Sequence, residues 1–242
     1  MGALFAPADT HVAKDAYERL LALAPEDLAA RNELGHLQLR LGDLDDAEAS
    51  YQTVLDRAHG RRETEAAALG NLGLIAQTRG DLNAAEAFHK QSLEIEKDLG
   101  RKEGMASDLG NLGIIALTRG DLDDAEAFFK QSLEINEALG RKEGMAISLH
   151  NLGDVREKQG RLSDASDLQN RALKLFVEIG QRQGIAHCER SLGRVPRLEG
   201  NREVSRQQLS EALNVFEEIG MEVEAAETSQ LLADLDAEET GS

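Results

Sequence analysis

Two sets of side chains in this sequence combine a reactive or binding chemistry with a regular spacing. His187, Arg190, Arg194 and Arg197 stand at i, i+3, i+7 and i+10, which brings them to one face of a helix. Residues 181–206 hold six arginines against three glutamates, a local charge of +3 in a chain of formal net charge -18. Guanidinium groups grouped in this way suit bidentate capture of carboxylates, whether acidic side chains or a C-terminus. The alternative is that they pair with the chain's own acids, since no basic residue follows Arg206. The second set is Asn71, Asn111 and Asn151, repeated every 40 residues and interrupted at Glu33 and Ser191. Each amide can donate and accept, either toward the backbone of an extended peptide or toward a neighbouring helix.

Catalytic and metal chemistry find no such support. His11, His36, His59, His89, His150 and His187 are scattered, and Cys188 adjoins His187 in sequence only. Adjacent helical positions diverge by about 100°, so that pair does not face together. No metal set and no cofactor motif is expected. Asp43, Asp45 and Asp46, like Asp121, Asp123 and Asp124, lack the spaced ligands and distal Glu of a calcium loop and read as acids at helix N-termini. The Arg-Gly-Asp tripeptides at 79–81 and 119–121 fall at turns and read as turn chemistry. The protein is expected to have no enzymatic activity.

Composition narrows the partners. A net charge of -18 disfavours nucleic-acid backbones and anionic membrane surfaces, both of which call for clustered Lys and Arg. No apolar run approaches the ~18 residues that a spanning helix requires. The lone Cys188 cannot form an internal disulfide, which suits a reducing compartment, and the cytoplasm is the expected location. Aromatic residues make up 3% of the chain and Trp is absent, so any core must be aliphatic and built from small residues.

The elements that position these residues follow from an internal repeat. Residues 69–106 and 109–146 agree at 30 of 38 positions, differing at 74, 77, 83, 84, 89, 96, 97 and 98 of the first copy. Leu-Gly recurs at 34–35, 72–73, 112–113, 152–153 and 192–193, giving five units. Two further glycine series, at 42, 80, 120, 160 and 200 and at 60, 100, 140, 180 and 220, follow apolar-periodic runs, as expected of glycine just past a helix end. Each unit is therefore helix, turn, helix, turn. The expected helices are 10–23, 27–41, 44–58, 62–79, 82–98, 102–119, 122–138, 142–159, 162–178, 182–199, 202–218 and 221–236. Gly35, Gly73, Gly113, Gly153 and Gly193 lie inside the first helix of each unit and call for close approach of a neighbour. The small residue twelve positions on (Ala47, Ala85, Ala125, Ala165, Ser205) is the expected partner.

Asn71-Leu72-Gly73, Gly80-Asp81-Leu82, Ala85 and Ser92-Leu93, with their counterparts one and two units on, resemble the tetratricopeptide repeat family. The 40-residue unit is similar to that of kinesin light chains and the LGN/Pins adaptors. The resemblance implies an all-α fold, an α-solenoid of antiparallel helix pairs stacked into a right-handed superhelix of about 12 helices. It places a half-repeat helix at 10–23, five repeats at 28–60, 66–100, 106–140, 146–180 and 186–220, and a capping helix at 221–236, in a single solenoid spanning 1–242. Pro196 predicts a kink or early stop near Arg194.

By the family pattern the first helices line a concave groove. That groove would carry Asn71, Asn111, Asn151 and His150, an apolar centre at Leu74 and Ile114, and a basic end at His187, Arg190, Arg194 and Arg197. The implied function is a protein-interaction scaffold or adaptor holding a peptide or partner segment, with an acidic element at the fifth repeat. A ligand-sensing regulatory module and a self-assembling oligomer are the alternatives.

Overall fold

The computed structural model describes residues 7–198 and 201–240, with side chains at 9–195 and 201–237. Gly200 and the Arg197 side chain lie outside the described residues. Twelve helices and no strand occur among those described: α1 Pro7–Leu23, α2 Leu28–Leu41, α3 Leu44–Arg57, α4 Arg62–Thr78, α5 Leu82–Leu99, α6 Lys102–Arg119, α7 Leu122–Leu139, α8 Lys142–Lys158, α9 Leu162–Ile179, α10 Arg182–Leu198, α11 Arg202–Glu218 and α12 Glu222–Thr240. None is long and apolar enough to cross a membrane. The chain divides into two compact units, 1–115 and 116–242, with the boundary inside α6.

Local chemistry sets the helix ends. The Asp27 and Asp81 carboxylates each accept from the backbone N–H three residues on, at 3.0 Å, which satisfies an otherwise orphaned donor in the first turn. The nine described glycines expected beyond helix ends have φ from 66° to 87°, the left-handed region where a Cβ is costly. At α5 the capping Gly100 N–H reaches Lys97 O at 3.1 Å and Arg101 N–H reaches Glu96 O at 2.9 Å, closing the helix as a Schellman turn.

The first unit packs α1 to α5 and the body of α6 around small clusters, one of Leu21, Ala30 and Leu34, the next of Ala47, Tyr51, Leu72 and Ile75. The second unit stacks Ala125, Phe129, Leu152 and Val155, then Ala146, Leu149, Ala172, Phe176 and Cys188, then Ala186, Ala212 and Phe216. Large side chains set among alanines let helices approach closely while filling the space between them. Helix α12 covers the last layer, with Thr228 and Leu235 fully buried.

Two expectations are refined. The side chain pressed against Gly73 and Gly153 lies sixteen positions on: a Cβ on Gly73 would stand 2.6 Å from His89 Nε2, and one on Gly153 2.6 Å from Gln169 Nε2, while the residue expected twelve positions on meets Gly193, whose carbonyl accepts from Ser205 Oγ at 2.6 Å. Tyr51 covers Gly35 and Leu209 covers Gly193 in the same way. A helical side chain leans toward its own N-terminus, so a long one rooted a turn further along covers the glycine. Of the kink or early stop expected at Pro196, the stop does not occur: α10 continues to Leu198. So close to the helix end, the missing N–H costs one hydrogen bond and leaves few turns to disrupt.

Candidate functional site

In the first unit α4, α5 and α6 enclose a cleft of about 240 Å³ lined by His36, Ala66, Ala67, Gly70, Asn71, Leu74, Ser92, Glu96, Gly104, Ser107, Asp108 and Asn111. It brings together three of the residues singled out from sequence: Asn71 and Asn111, both half-buried, and Leu74, which is 36% exposed. Ile114, one turn beyond Asn111, is 40% exposed. Residues of small volume give the cleft its depth. A Cβ on Gly70 would meet Asp108 Oδ1 and Ser92 Oγ only at 3.9 Å, so its absence leaves open space above both groups.

The floor of the cleft is acidic. Glu96 and Asp108 are each 4% exposed. Glu96 Oε2 accepts no hydrogen bond, although Arg101 Nε lies 3.4 Å away. Asp108 Oδ1 accepts from His89 Nδ1 at 3.1 Å, and Ser92 Oγ donates to Ala66 O at 3.1 Å. Burial raises the Glu96 carboxyl above its usual range; Arg101 opposes the shift, while Asp108, Glu63 and Glu103 add to it. Helical spacing alone does not single out these two acids. Their signal lies in the repeat: Glu96 and His89 are among the eight positions at which the near-identical copies differ, becoming Asn136 and Phe129, and Asp108 becomes Ser148.

In the second unit Arg182, Arg190, Arg194 and Arg206 are engaged within the chain. Arg190 Nη1 donates to Glu227 of α12 at 2.9 Å, and its guanidinium lies 5.4 Å from the centroid of the Phe216 ring. Arg194 Nη2 donates to Glu157 of α8 at 2.6 Å. Arg206 pairs with Asp236 at 2.8 Å and Arg182 with Glu218. The alternative posed by the sequence, pairing with the chain's own acids, describes these contacts. His187 packs edge-on to Phe216 with centroids 5.1 Å apart. Burial, helped by Arg190 and His150, lowers its pKa from 6.5 to about 4, so it is uncharged at neutral pH.

His150 is held with Nδ1 2.8 Å from Gln169 Oε1 and 3.9 Å from the Cys188 sulfur. Gln169 Nε2 and Ser191 Oγ donate to Asp154 Oδ1 at 3.0 and 3.3 Å. The fold thus places the one cysteine near a histidine distant in sequence. Burial pushes the thiol to about 12, which leaves it protonated and unsuited to nucleophilic attack. No group of three or more metal-ligating side chains occurs among the described residues. Asn151 is half-buried on the same helix as His150.

The tetratricopeptide repeat model matches residues 26–98, 64–138, 104–178 and 144–218. The chain belongs to the tetratricopeptide repeat family. No curated protein sequence matches it. Among solved structures, BtubC (BKLC) from P. vanneervenii is similar with a TM-score of 0.70 at 19% identity, over 88% of this chain and 91% of that one. Nearly identical TPR-like repeats assigned to a kinesin light chain of Podosopora anserina align with a TM-score of 0.61 at 17% identity, over 79% and 95%. The signal-transduction ATPase PH0952 of Pyrococcus horikoshii, named for its tetratricopeptide repeat sensor, aligns with a TM-score of 0.72 at 18% identity, over 88% of this chain and 33% of that one. At these identities the similarity is one of fold. Tetratricopeptide repeats of this kind are consistent with an interaction scaffold.

Proposed function

We propose that this protein is an interaction scaffold that holds an extended segment of a partner polypeptide along the first helices of its repeats. The observation carrying this reading is the cleft that joins Asn71 and Asn111 to the exposed Leu74. Two amides 40 residues apart in sequence, on α4 and α6, meet a peptide backbone with donors and acceptors. The apolar positions beside them receive its side chains, the pattern that gives extended-peptide grooves both affinity and selectivity. An acidic segment at the basic end would have to displace Glu227 from Arg190, so the cleft of the first unit is the stronger candidate for primary contact.

The test is selection of random linear peptides on the full-length chain, followed by calorimetric titration of resynthesised binders. Asn71→Ala combined with Asn111→Ala is expected to weaken binding by about tenfold or more, the loss of two or more hydrogen bonds. The reading does not survive if no peptide is selected above background, or if affinity ignores both substitutions. Self-assembly has its own supporting observation, since Val12, Leu20 and Leu23 of α1 are 70%, 41% and 88% exposed. A mass that rises with concentration in sedimentation would favour that reading.

A further inference from the structure

The cleft carries two carboxylates that the repeat architecture does not require. One unit further along, the positions of Glu96 and Asp108 are taken by Asn136 and Ser148, and these satisfy themselves internally. Asn136 Nδ2 donates to Ser132 O at 2.9 Å, and Ser148 Oγ to Ser132 Oγ at 3.2 Å. The acids are only partly compensated: Asp108 Oδ1 accepts from His89 Nδ1 at 3.1 Å, whereas Glu96, 4% exposed and with Arg101 Nε 3.4 Å away, has an Oε2 that accepts no hydrogen bond. Buried carboxylates without full compensation are costly, and a cation brought to them offsets that cost.

A second comparison shows what fits the space. Gly70 recurs as Gly110 and then as His150, and Asp108 as Ser148 and then as Cys188. In the third of these units the chain fills its own cleft: the His150 imidazole reaches to 3.9 Å from Cys188. In the first unit the glycine leaves that volume open above an aspartate. The same framework is thus self-filled by a nitrogenous side chain in one place, and open and anionic in another.

We propose that the cleft between α4, α5 and α6 is a receptor for a basic side chain, a lysine ammonium or an arginine guanidinium, supplied by the partner polypeptide. This rests on the groove reading above and names its anchor. The cation lies over Glu96 and Asp108, with its stem against Leu74 and the Asn71 and Asn111 amides at the rim. Among the described residues Arg101 pairs with Glu96, against the acids Asp108, Glu63 and Glu103 around it. His89 contributes an N–H to Asp108. The net charge of -18 steers basic segments toward the chain and away from anionic competitors.

The test titrates n-butylammonium, methylguanidinium and butyrate separately into the isotopically labelled full chain, following backbone amides by NMR. Saturable shifts are expected at Gly70, Gly104, Ser107 and Asp108 with at least one cation and none with butyrate. The stronger of the two cations identifies lysine or arginine as the anchor. Glu96→Asn with Asp108→Ser installs the residues of the next unit, and it is expected to weaken cation binding by about tenfold or more. Gly70→His, the residue found at 150, leaves both acids in place and is expected to block binding by filling the cleft.

An equal response to butyrate, or cation binding that survives both variants, overturns the proposal. If peptides bind through Asn71 and Asn111 while neither cation shifts these amides, the basic anchor falls and the groove stands. If the cations bind and no peptide does, the groove reading falls, and with it the assignment of the cation to a peptide side chain.

Discussion

Single side chains in this protein are tuned by burial more than by reactive neighbours. His187 is the clearest case. Its folded pKa of about 4 lies below the ordinary 6.5 because the imidazolium would be buried beside Arg190 and His150, with Glu224 and Asp154 offering partial compensation. The folded state therefore binds a proton less readily than the unfolded chain. The resulting stability is complete above pH 6.5 and is lost as pH falls from there toward 4. Between pH 7 and pH 5 urea denaturation should show a loss of about 1–2 kcal/mol from this group. His187→Phe should flatten the profile in that window, and an unchanged slope would show that the imidazole does not titrate this way.

At the scale of the element, each helix pair depends on one glycine and the large side chain laid over it. Among the four Leu-Gly glycines at 35, 73, 153 and 193 the contact is tighter where the covering side chain is polar, Gly73 against the fully buried His89 and Gly153 against Gln169. Gly73→Ala raises intrinsic helix propensity, yet its Cβ would stand 2.6 Å from Nε2. The clash should win, lowering stability by about 1–3 kcal/mol as overpacking in a closed core does. Gly73→Ala in a His89→Ala background should cost much less, so a double-mutant cycle by urea denaturation isolates the contact. Additive effects would mean that the two side chains do not meet.

At the scale of the whole molecule, each repeat buries its apolar face only against the next, so the last one needs a cover. Helix α12 provides it, burying Thr228 and Leu235 and packing Ala225 toward Phe216, while Glu227 and Asp236 pair with Arg190 and Arg206. Removing residues 222–242 should lower the melting temperature by roughly 5–10 °C, the equivalent of a few kcal/mol of lost burial in a chain of this size. It should also leave Arg190 and Arg206 without these carboxylates, giving tighter binding of acidic peptides at low salt. An unchanged melt would show that α12 does not cap the array.

The sequence by itself determined the helices, because their signals are local. Apolar periodicity and glycines with obligatory positive φ fix where a helix runs and stops whatever lies around it, and the interior helices fall within one residue or so of the spans expected. It also set Asn71, Asn111 and Leu74 at matching depths in successive repeats, since period alone carries that register. Tertiary structure decided what those positions face. Whether Arg190 is open or paired depends on α12 thirty-seven residues away, and whether Glu96 is a surface acid or the floor of a cleft depends on Gly104 and Asp108 from the next helix. Charge and burial are properties of assembled neighbours, so a periodic pattern shows which residues recur and only packing shows which carboxylates are buried together.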